Sequence, residues 1–314
     1  MRCDAAARGR ADKLHAVPDA TARRSRSLAA ALEPVIGQVY FSVECHEAYA
    51  RLGFAPSPGL LGAVALPDGP AYFTSRGSLL GQVQPAVIAA AFGVFKPAVV
   101  KAGAQHGWSL TDAPTIFAAR RAGAVAQLER VLGPAGDEVG RAVGLLERAV
   151  TPLGVEGRPL FAGLESWWDD PSDGWTRLFH LGDMLRECRG DAHIAAWSSA
   201  ALDGVEIGLL NDVYMGLPLK SYVRTRGWTD DELDAGEARL VERGWLADGA
   251  LTAAGRDARE AIEAATDRGM APAVHALGDD LDALLGVLRP WGETIRATGA
   301  YVGGPVDLWP DRDD

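Results

Sequence analysis

The sequence predicts a mainly α-helical protein, and three observations carry that prediction. Apolar residues recur at helical spacing over long stretches, proline and glycine gather where those stretches end, and strand signals are sparse and short. AALEPVIGQVYFSVECHEAYARLGF (30–54) gives one helix or two, closed by Gly53, and the Pro/Gly-rich connector SPGLLGAVALPDGP (57–70) follows. QPAVIAAAFGVFKPAVVKAG (84–103), APTIFAARRAGAVAQLERVLG (113–133) and EVGRAVGLLERAVTPLG (138–154) continue in the same style, with Pro or Gly at their boundaries. RPLFAGLESWWDDPSDG (158–174) reads as a connector between domains, with Trp167, Trp168 and Pro171 packing against both sides. LFHLGDMLRECRGDAHIAAW (178–197) is a helix with two arginines, two histidines, a cysteine and two glycines. A helix from Ala201 to about Tyr214 and a short one near Pro218–Arg226 come next. Thr229 with Glu232 three residues on is a capping box that opens a helix ending at Gly244. After the turn Ala247-Asp248-Gly249, Leu251-Thr252 opens another helix, and a final amphipathic helix covers about 272–299.

A helix, Gly-Trp-Leu, a tight Asp-Gly turn, Leu-Thr and then Gly-Arg leading a long helix is the layout of a winged helix. Here the chain resembles the MarR-like winged-helix proteins, and more closely a helix-turn-helix family of high-GC bacteria whose function is not established. The residues that carry the resemblance are YFTSRGSLLG (72–81), AAFGVFKPAVV (90–100), LREC-RGDAH (185–193), LDGVE (202–206) and RGWLADGALTAAGR (243–256). It spans roughly residues 30–300. Cys188 departs from it, because a histidine or another polar residue is expected there. An internal repeat is also legible: AFGVFKPAVVKAGAQHGWS (91–109) and NDVYMGLPLKSYVRTRGWT (211–229) share an aromatic, a proline and a closing Gly-Trp-Ser/Thr. The prediction is therefore two tandem degenerate winged-helix-like domains in pseudo-two-fold relation, with a long C-terminal helix. The expected divisions are a disordered basic arm (1–27), an N-terminal domain (28–157), the connector (158–174), a C-terminal winged-helix domain with its terminal helix (175–300) and a tail (301–314). Such a chain is a monomeric pseudo-dimer or a homodimer.

Composition narrows the class. With 48% hydrophobic and 23% charged residues the chain is globular, and no apolar run is long enough to span a bilayer. The start lacks an apolar signal core, and three cysteines in odd number and wide spacing suggest a reducing cytoplasm. Net charge is −11, yet residues 1–27 carry six Arg and one Lys against three Asp. The remainder is more acidic still and repels phosphate backbones.

DNA binding is what the resemblance implies, so the recognition helix decides its weight. TDDELDAGEARLVERG places Asp230, Asp231, Glu232, Asp234 and Glu237 ahead of its first basic residue, Arg239. Carboxylates facing phosphates disfavour DNA as a partner, although Lys220, Arg224, Arg226 and the basic arm keep it as an alternative. On the 178–197 helix, Arg186, Gly190 and His193 fall within about 40° of one another, with Arg189 beside them and an apolar stripe elsewhere. Glycine costs about 0.5–1 kcal/mol relative to alanine in a helix, so Gly182 and Gly190 point to close approach by a neighbour or a ligand. Arg76, Arg186 and Arg189, with Tyr72 and Asp191, become candidates for binding an anionic group, since guanidinium forks suit carboxylate and phosphate. His193 is the candidate for proton transfer. An internal ion network with Asp183, Glu187, Asp191 and Glu206 that only pins helices is the competing reading.

A metal set of His46, His180, His193 and Glu206 is conceivable, but His180 and His193 lie about 220° apart on a continuous helix and no close-spaced ligand motif exists. No motif indicates a cofactor: GxGxxG, Walker and GxSxG patterns are absent. The reading is a protein that binds, or binds and converts, an anionic or polar small molecule in a cleft between two halves. Its alternatives are a MarR-type ligand-responsive regulator and a protein-interaction or structural module.

Overall fold

The computed structural model describes residues 19–61, 64–167 and 172–302. Most of the expected arm, Trp168 and Pro171 of the connector, and residues 303–314 of the tail lie outside them. Residues 20–27, expected in the arm, instead form the first turns of α1 (Ala20–Gly37), whose start is capped by the Asp19 carboxylate accepting from the Ala22 N–H.

The fold is mainly α-helical. After α1 come α2 (Val43–Arg51), a two-residue hairpin β1–β2 (Leu60–Leu61 and Val64–Ala65), α3 (Gly69–Gly77), α4 (Pro85–Phe92), α5 (Pro97–Leu110), α6 (Ala113–Leu132), α7 (Asp137–Val150) and α8 (Pro159–Glu165). The sequence places a connector at 158–174, and α8 occupies part of it. Proline at the first turn of α3, α4, α5, α6 and α8 supplies a helical φ where no N–H partner is needed. The long α9 (Gly174–Ser199) leads to α10 (Gly204–Tyr214), a 3-10 turn at Val223–Arg226, and α11 (Asp230–Glu242). A second antiparallel hairpin, β3–β4 (Leu246–Ala247 and Ala250–Leu251), turns at Asp248-Gly249, both at positive φ, and meets α12 (Ala253–Leu277) and α13 (Asp280–Ala297). The break between the last two helices falls at Gly278, which takes φ 51°, and α12 runs straight through Pro272. The sequence pattern places that break near residue 272 instead.

Two hydrophobic clusters organise the chain. The larger is built from α1 to α9 together with Met270–Val302, so the first helix packs on α9, α12 and α13. The smaller comprises residues between Trp197 and Ile262, around α10, α11 and the second hairpin. A helix–hairpin–helix order occurs twice, as α2–β1–β2–α3 and as α11–β3–β4–α12. The repeat read between 91–109 and 211–229 does not coincide with it. Gly107 and Trp108 lie within α5, whereas Gly227 and Trp228 lie in the turn ahead of α11.

At the centre is α9, in contact with α1, α6, α7, α8 and α12. Of the apolar stripe Leu178, Leu181, Leu185, Cys188, Ala192 and Ala195, the first four are buried, Ala192 is half-buried and Ala195 is exposed, while His180, Asp183, Glu187, Arg189 and Asp191 are buried as well. A helix covered nearly all round must find partners inside the protein for every polar group it carries.

Candidate functional site

The polar residues of α9 sort into two ion networks on different neighbours. The first faces α1, α3 and α6. Arg76 on α3 grips Glu187 with two bonds, Nε to Oε1 at 3.0 Å and Nη2 to Oε2 at 2.7 Å. Arg186 grips Glu33 of α1 in the same way at 2.9 and 3.2 Å and also reaches Glu187 Oε1 at 3.1 Å. Arg120 of α6 holds Asp183 at 2.6 and 3.1 Å, fully buried. The Tyr40 hydroxyl sits among them, donating to Glu187 at 3.3 Å and accepting from Arg186 at 3.2 Å. Burial would raise the Glu187 carboxyl, but Arg76, Arg186 and Arg120 outweigh it and hold it at about 2. Three guanidinium groups thus face three carboxylates.

The second network faces α12. Arg189 bonds Glu263 at 2.9 Å and Asp267 at 3.3 Å, and Arg259 lies 2.7 Å from Glu263. Arg26 of α1 completes it through Asp267 at 2.8 Å and Glu260 at 2.6 Å. The His193 Nδ1 lies 3.0 Å from Thr266 Oγ1, which donates its own proton to the Ile262 carbonyl. With that proton directed to the Ile262 carbonyl, the contact is made by a His193 ring donating from Nδ1. Burial lowers its ring to about 3, against the pull of Glu263. Asp191 belongs to neither network; its Oδ2 accepts from the Leu160 and Phe161 N–H groups and caps α8. Burial pushes its carboxyl up to about 7.

Arg76, Arg186 and Tyr72 are brought together; Arg189, His193 and Asp191 are not. Arg189 and His193 turn toward α12 and Asp191 toward α8, because α9 has neighbours on several sides. Helical-wheel proximity of Arg186 and His193 is real, yet they end on different partners. The metal set does not assemble: the His46 ring bonds the Tyr40 carbonyl, Glu206 caps α10 and reaches Arg239 and Arg243, and no group of three or more ligating side chains exists among the described residues.

Glu33, Tyr40, Arg120 and Tyr222 carry no signal in the sequence, and Arg226 stands out there only as part of a basic cluster toward DNA. Tyr72 stacks in a run of rings, 5.0 Å from Tyr40 and 5.5 Å from Phe95. Arg186 lies over Tyr40 at 4.9 Å and Arg226 over Phe95 at 4.6 Å, so Arg186, Tyr40, Tyr72, Phe95 and Arg226 are contiguous. Tyr222 adjoins them, within electrostatic reach of Tyr72 and Glu33, and its phenol is pushed up by burial. Tyr72, Arg76, Arg186, Tyr222 and Arg226 all remain half-buried rather than sealed. This junction joins α1, α3 and α9 to the 3-10 turn before α11.

The elements α10, the 3-10 turn and α11 follow one another in helix–turn–helix order. The outer face of α11 shows Asp230, Asp231 and Asp234 to solvent. Its basic neighbours are already engaged: Lys220 with Asp234 and Glu237, Arg224 with Asp230, Arg239 with Asp203. The N-terminal end of α11 rests on the α4–α5 turn. Lys96 pairs with Glu232 at 2.9 Å, the Trp228 indole donates to the Val94 carbonyl at 3.0 Å, and the Lys96 N–H donates to the Arg226 carbonyl at 2.9 Å. Among the described residues, no helix is long and apolar enough to cross a membrane.

A protein-family model described as a helix-turn-helix family matches residues 25–302. No curated protein and no solved structure matches the chain.

Proposed function

From the premise that the chain belongs to a helix-turn-helix family, we propose that it uses this scaffold to bind an anionic small molecule at the junction of Arg186, Tyr40, Tyr72, Tyr222 and Arg226, and not to read DNA. One observation carries the reading: the end of α11 that would enter a major groove is acidic and rests on the α4–α5 turn. Inserting it would bring Asp230, Asp231 and Asp234 against phosphates and require the contacts of Trp228 and Lys96 to break. Counterion release, the main source of DNA affinity, has no unpaired basic face on α11 to draw on. The junction offers what a small-molecule site needs, namely aromatic walls with a few convergent polar groups that keep some exposure. Arg76 and Arg186 border it while held by Glu187 and Glu33, and Arg189 and His193 tie α9 to α12.

Native mass spectrometry of freshly purified full-length protein tests the reading directly. The expected result is a bound non-protein mass that is released on denaturation and no longer retained by a Tyr72→Ala variant. Family membership favours one second reading, a ligand-responsive regulator. A gel-shift titration against the DNA upstream of its own coding sequence separates the two. Specific, salt-sensitive shifts would overturn the non-DNA reading.

A further inference from the structure

One cavity lies apart from the α9 networks and from the junction. It encloses about 340 Å³ between the amino end of α2, β2, α6 and the chain that follows α13. Small-molecule sites span about 300–1,000 Å³, so this space is of ligand size. Its floor is fixed: the buried Gln127 side chain donates from Nε2 to Gln38 Oε1 at 2.6 Å and to the Ala300 carbonyl at 3.2 Å. Its apolar lining is equally defined. The Phe41 ring meets Tyr301 edge-on with centroids 5.5 Å apart, Ala65 and Ala300 are buried, and Val43 keeps 48% of its surface exposed.

The charges along this cavity do not balance. Glu44, Glu47 and Arg130 line it. Arg130 is spent on Glu44, which it meets with both Nε and Nη2, and the Ser42 hydroxyl donates to the same carboxylate at 3.1 Å. Glu47, one turn further along α2, is exposed and makes no ion pair among the described residues. Helix ends add partial charges of both signs. The amino end of α2 would draw an anion, but the Ser42 cap and Glu44 in its first turn already answer it. The carboxyl end of α13, an 18-residue helix, borders the cavity through Thr298, Gly299 and Ala300, and its carbonyls contribute partial negative charge. Arg296 in the last turn of that helix does not line the cavity. One unpaired carboxylate and the negative end of a long helix thus face a space with an aromatic wall and an aliphatic rim.

We propose that this cavity binds a small primary amine, its ammonium group between Glu47 and the end of α13 and its apolar body against Phe41, Val43 and Ala65. An ammonium group carries three donors and no acceptor, which suits a carboxylate together with carbonyl oxygens. An anion would meet two carboxylates and a single arginine that is already committed. The site is independent of the junction and shares no lining residue with it.

Isothermal titration of the full-length protein with benzylamine, neutral benzyl alcohol and phenylacetate tests the proposal, because the three share a ring and differ in charge. Benzylamine is expected to bind in the millimolar range or tighter, and the other two at least tenfold more weakly. That comparison uses the wild type alone. Glu47→Gln should weaken benzylamine at least tenfold, Glu47→Asp should keep part of the affinity, and Glu242→Gln on α11 should change nothing. Arg130→Gln releases Glu44 as a second carboxylate, so benzylamine should bind at least twofold more tightly. The unliganded melting temperature of each variant reports whether it folds. Equal binding of benzylamine and benzyl alcohol, undiminished binding by Glu47→Gln, weaker binding by a folded Arg130→Gln, or no benzylamine binding at all would each overturn the amine site. Tyr72→Ala should leave benzylamine binding unchanged; its loss there would place the amine at the junction and overturn the proposal in that way.

Discussion

Within the α9 networks, the energetic weight of each residue lies in what its removal leaves behind. Arg120 and Asp183 are both fully buried, 2.6 Å apart at their closest. Replacing Arg120 by methionine strands the Asp183 carboxylate in a dry interior, and should cost about 3–5 kcal/mol in urea unfolding. Removing both charges, as Arg120→Met with Asp183→Leu, should restore most of that, since a well-packed apolar pair is often as stable as a buried ion pair. The pH dependence divides between two groups of opposite sign. Burial depresses His193 to about 3, so the unfolded chain takes up a proton that the folded chain refuses. That contribution is complete above the ordinary histidine value and is lost progressively as the pH falls from about 6.5 toward 3. The slope of stability against pH should flatten across that window in His193→Gln. For Asp191 burial raises the carboxyl to about 7, so its protonated form favours the fold. That contribution is present below the ordinary aspartate value, about 3.9, and is lost as the pH rises toward 7. Asp191→Asn keeps an acceptor for the Leu160 and Phe161 N–H groups without the buried charge. The variant should therefore be more stable than the wild type near pH 8, by roughly 1 kcal/mol or more, and indistinguishable from it near pH 4.

At the scale of the element, α9 shows how far residue patterning reaches. A helix over 178–197 and the buried part of its apolar stripe, Leu178, Leu181, Leu185 and Cys188, are legible from 3.6-residue periodicity, whereas its full extent, Gly174–Ser199, is not. The destination of its charges is not, because a sequence records which face a residue occupies but not which helix lies opposite. Arg186 and Arg189 are three apart, yet one meets Glu33 of α1 and the other Glu263 of α12. The two glycines make the same point. A Cβ at Gly182 would collide with the buried Ile36 side chain, so its smallness lets α1 approach. At Gly190 the nearest atom to such a Cβ is Glu187 Oε2 at 3.7 Å, an ordinary contact. Gly190→Ala should therefore stabilise the protein by about 0.5–1 kcal/mol through helix propensity. Gly182→Ala should destabilise it by about 1–3 kcal/mol through overpacking. Thermal and urea unfolding of the two single variants check both signs. The capping box at Thr229 and the Asp-Gly turn of the second hairpin were equally legible, since both are local hydrogen-bond devices. Tyr222 is not, and Arg226 is legible only as a basic residue, because their place at the junction depends on Phe95, some 130 residues earlier.

At the scale of the whole molecule, the question is how a helix-turn-helix unit is held against the rest of the chain. The smaller hydrophobic cluster meets the larger one through the α4–α5 turn, where Val94 packs against both. Gly204 is required there, since a Cβ would collide with the Gly93 carbonyl and crowd Trp228. Trp228 is the joint's largest side chain, half-buried and donating to the Val94 carbonyl. Lys96 adds an ion pair with Glu232 that, being half exposed, contributes at most about 1 kcal/mol and is weakened by salt. The indole should therefore dominate. Replacing Trp228 by alanine should cost the α10–α11 unit its seat while leaving α9 and the larger core intact, because those rest on separate contacts. Hydrogen exchange should then quicken in residues 204–243 and remain unchanged in 178–190, with little loss of overall helicity. Lys96→Ala should produce a much smaller change, further reduced in high salt. The same joint carries Arg226 and Tyr222, so the Trp228→Ala variant should also lose affinity for whatever occupies the junction. Uniform quickening across α9 and α11 together would mean that the two clusters unfold as one unit, and that the seat of α11 is set by the whole core and not by the joint.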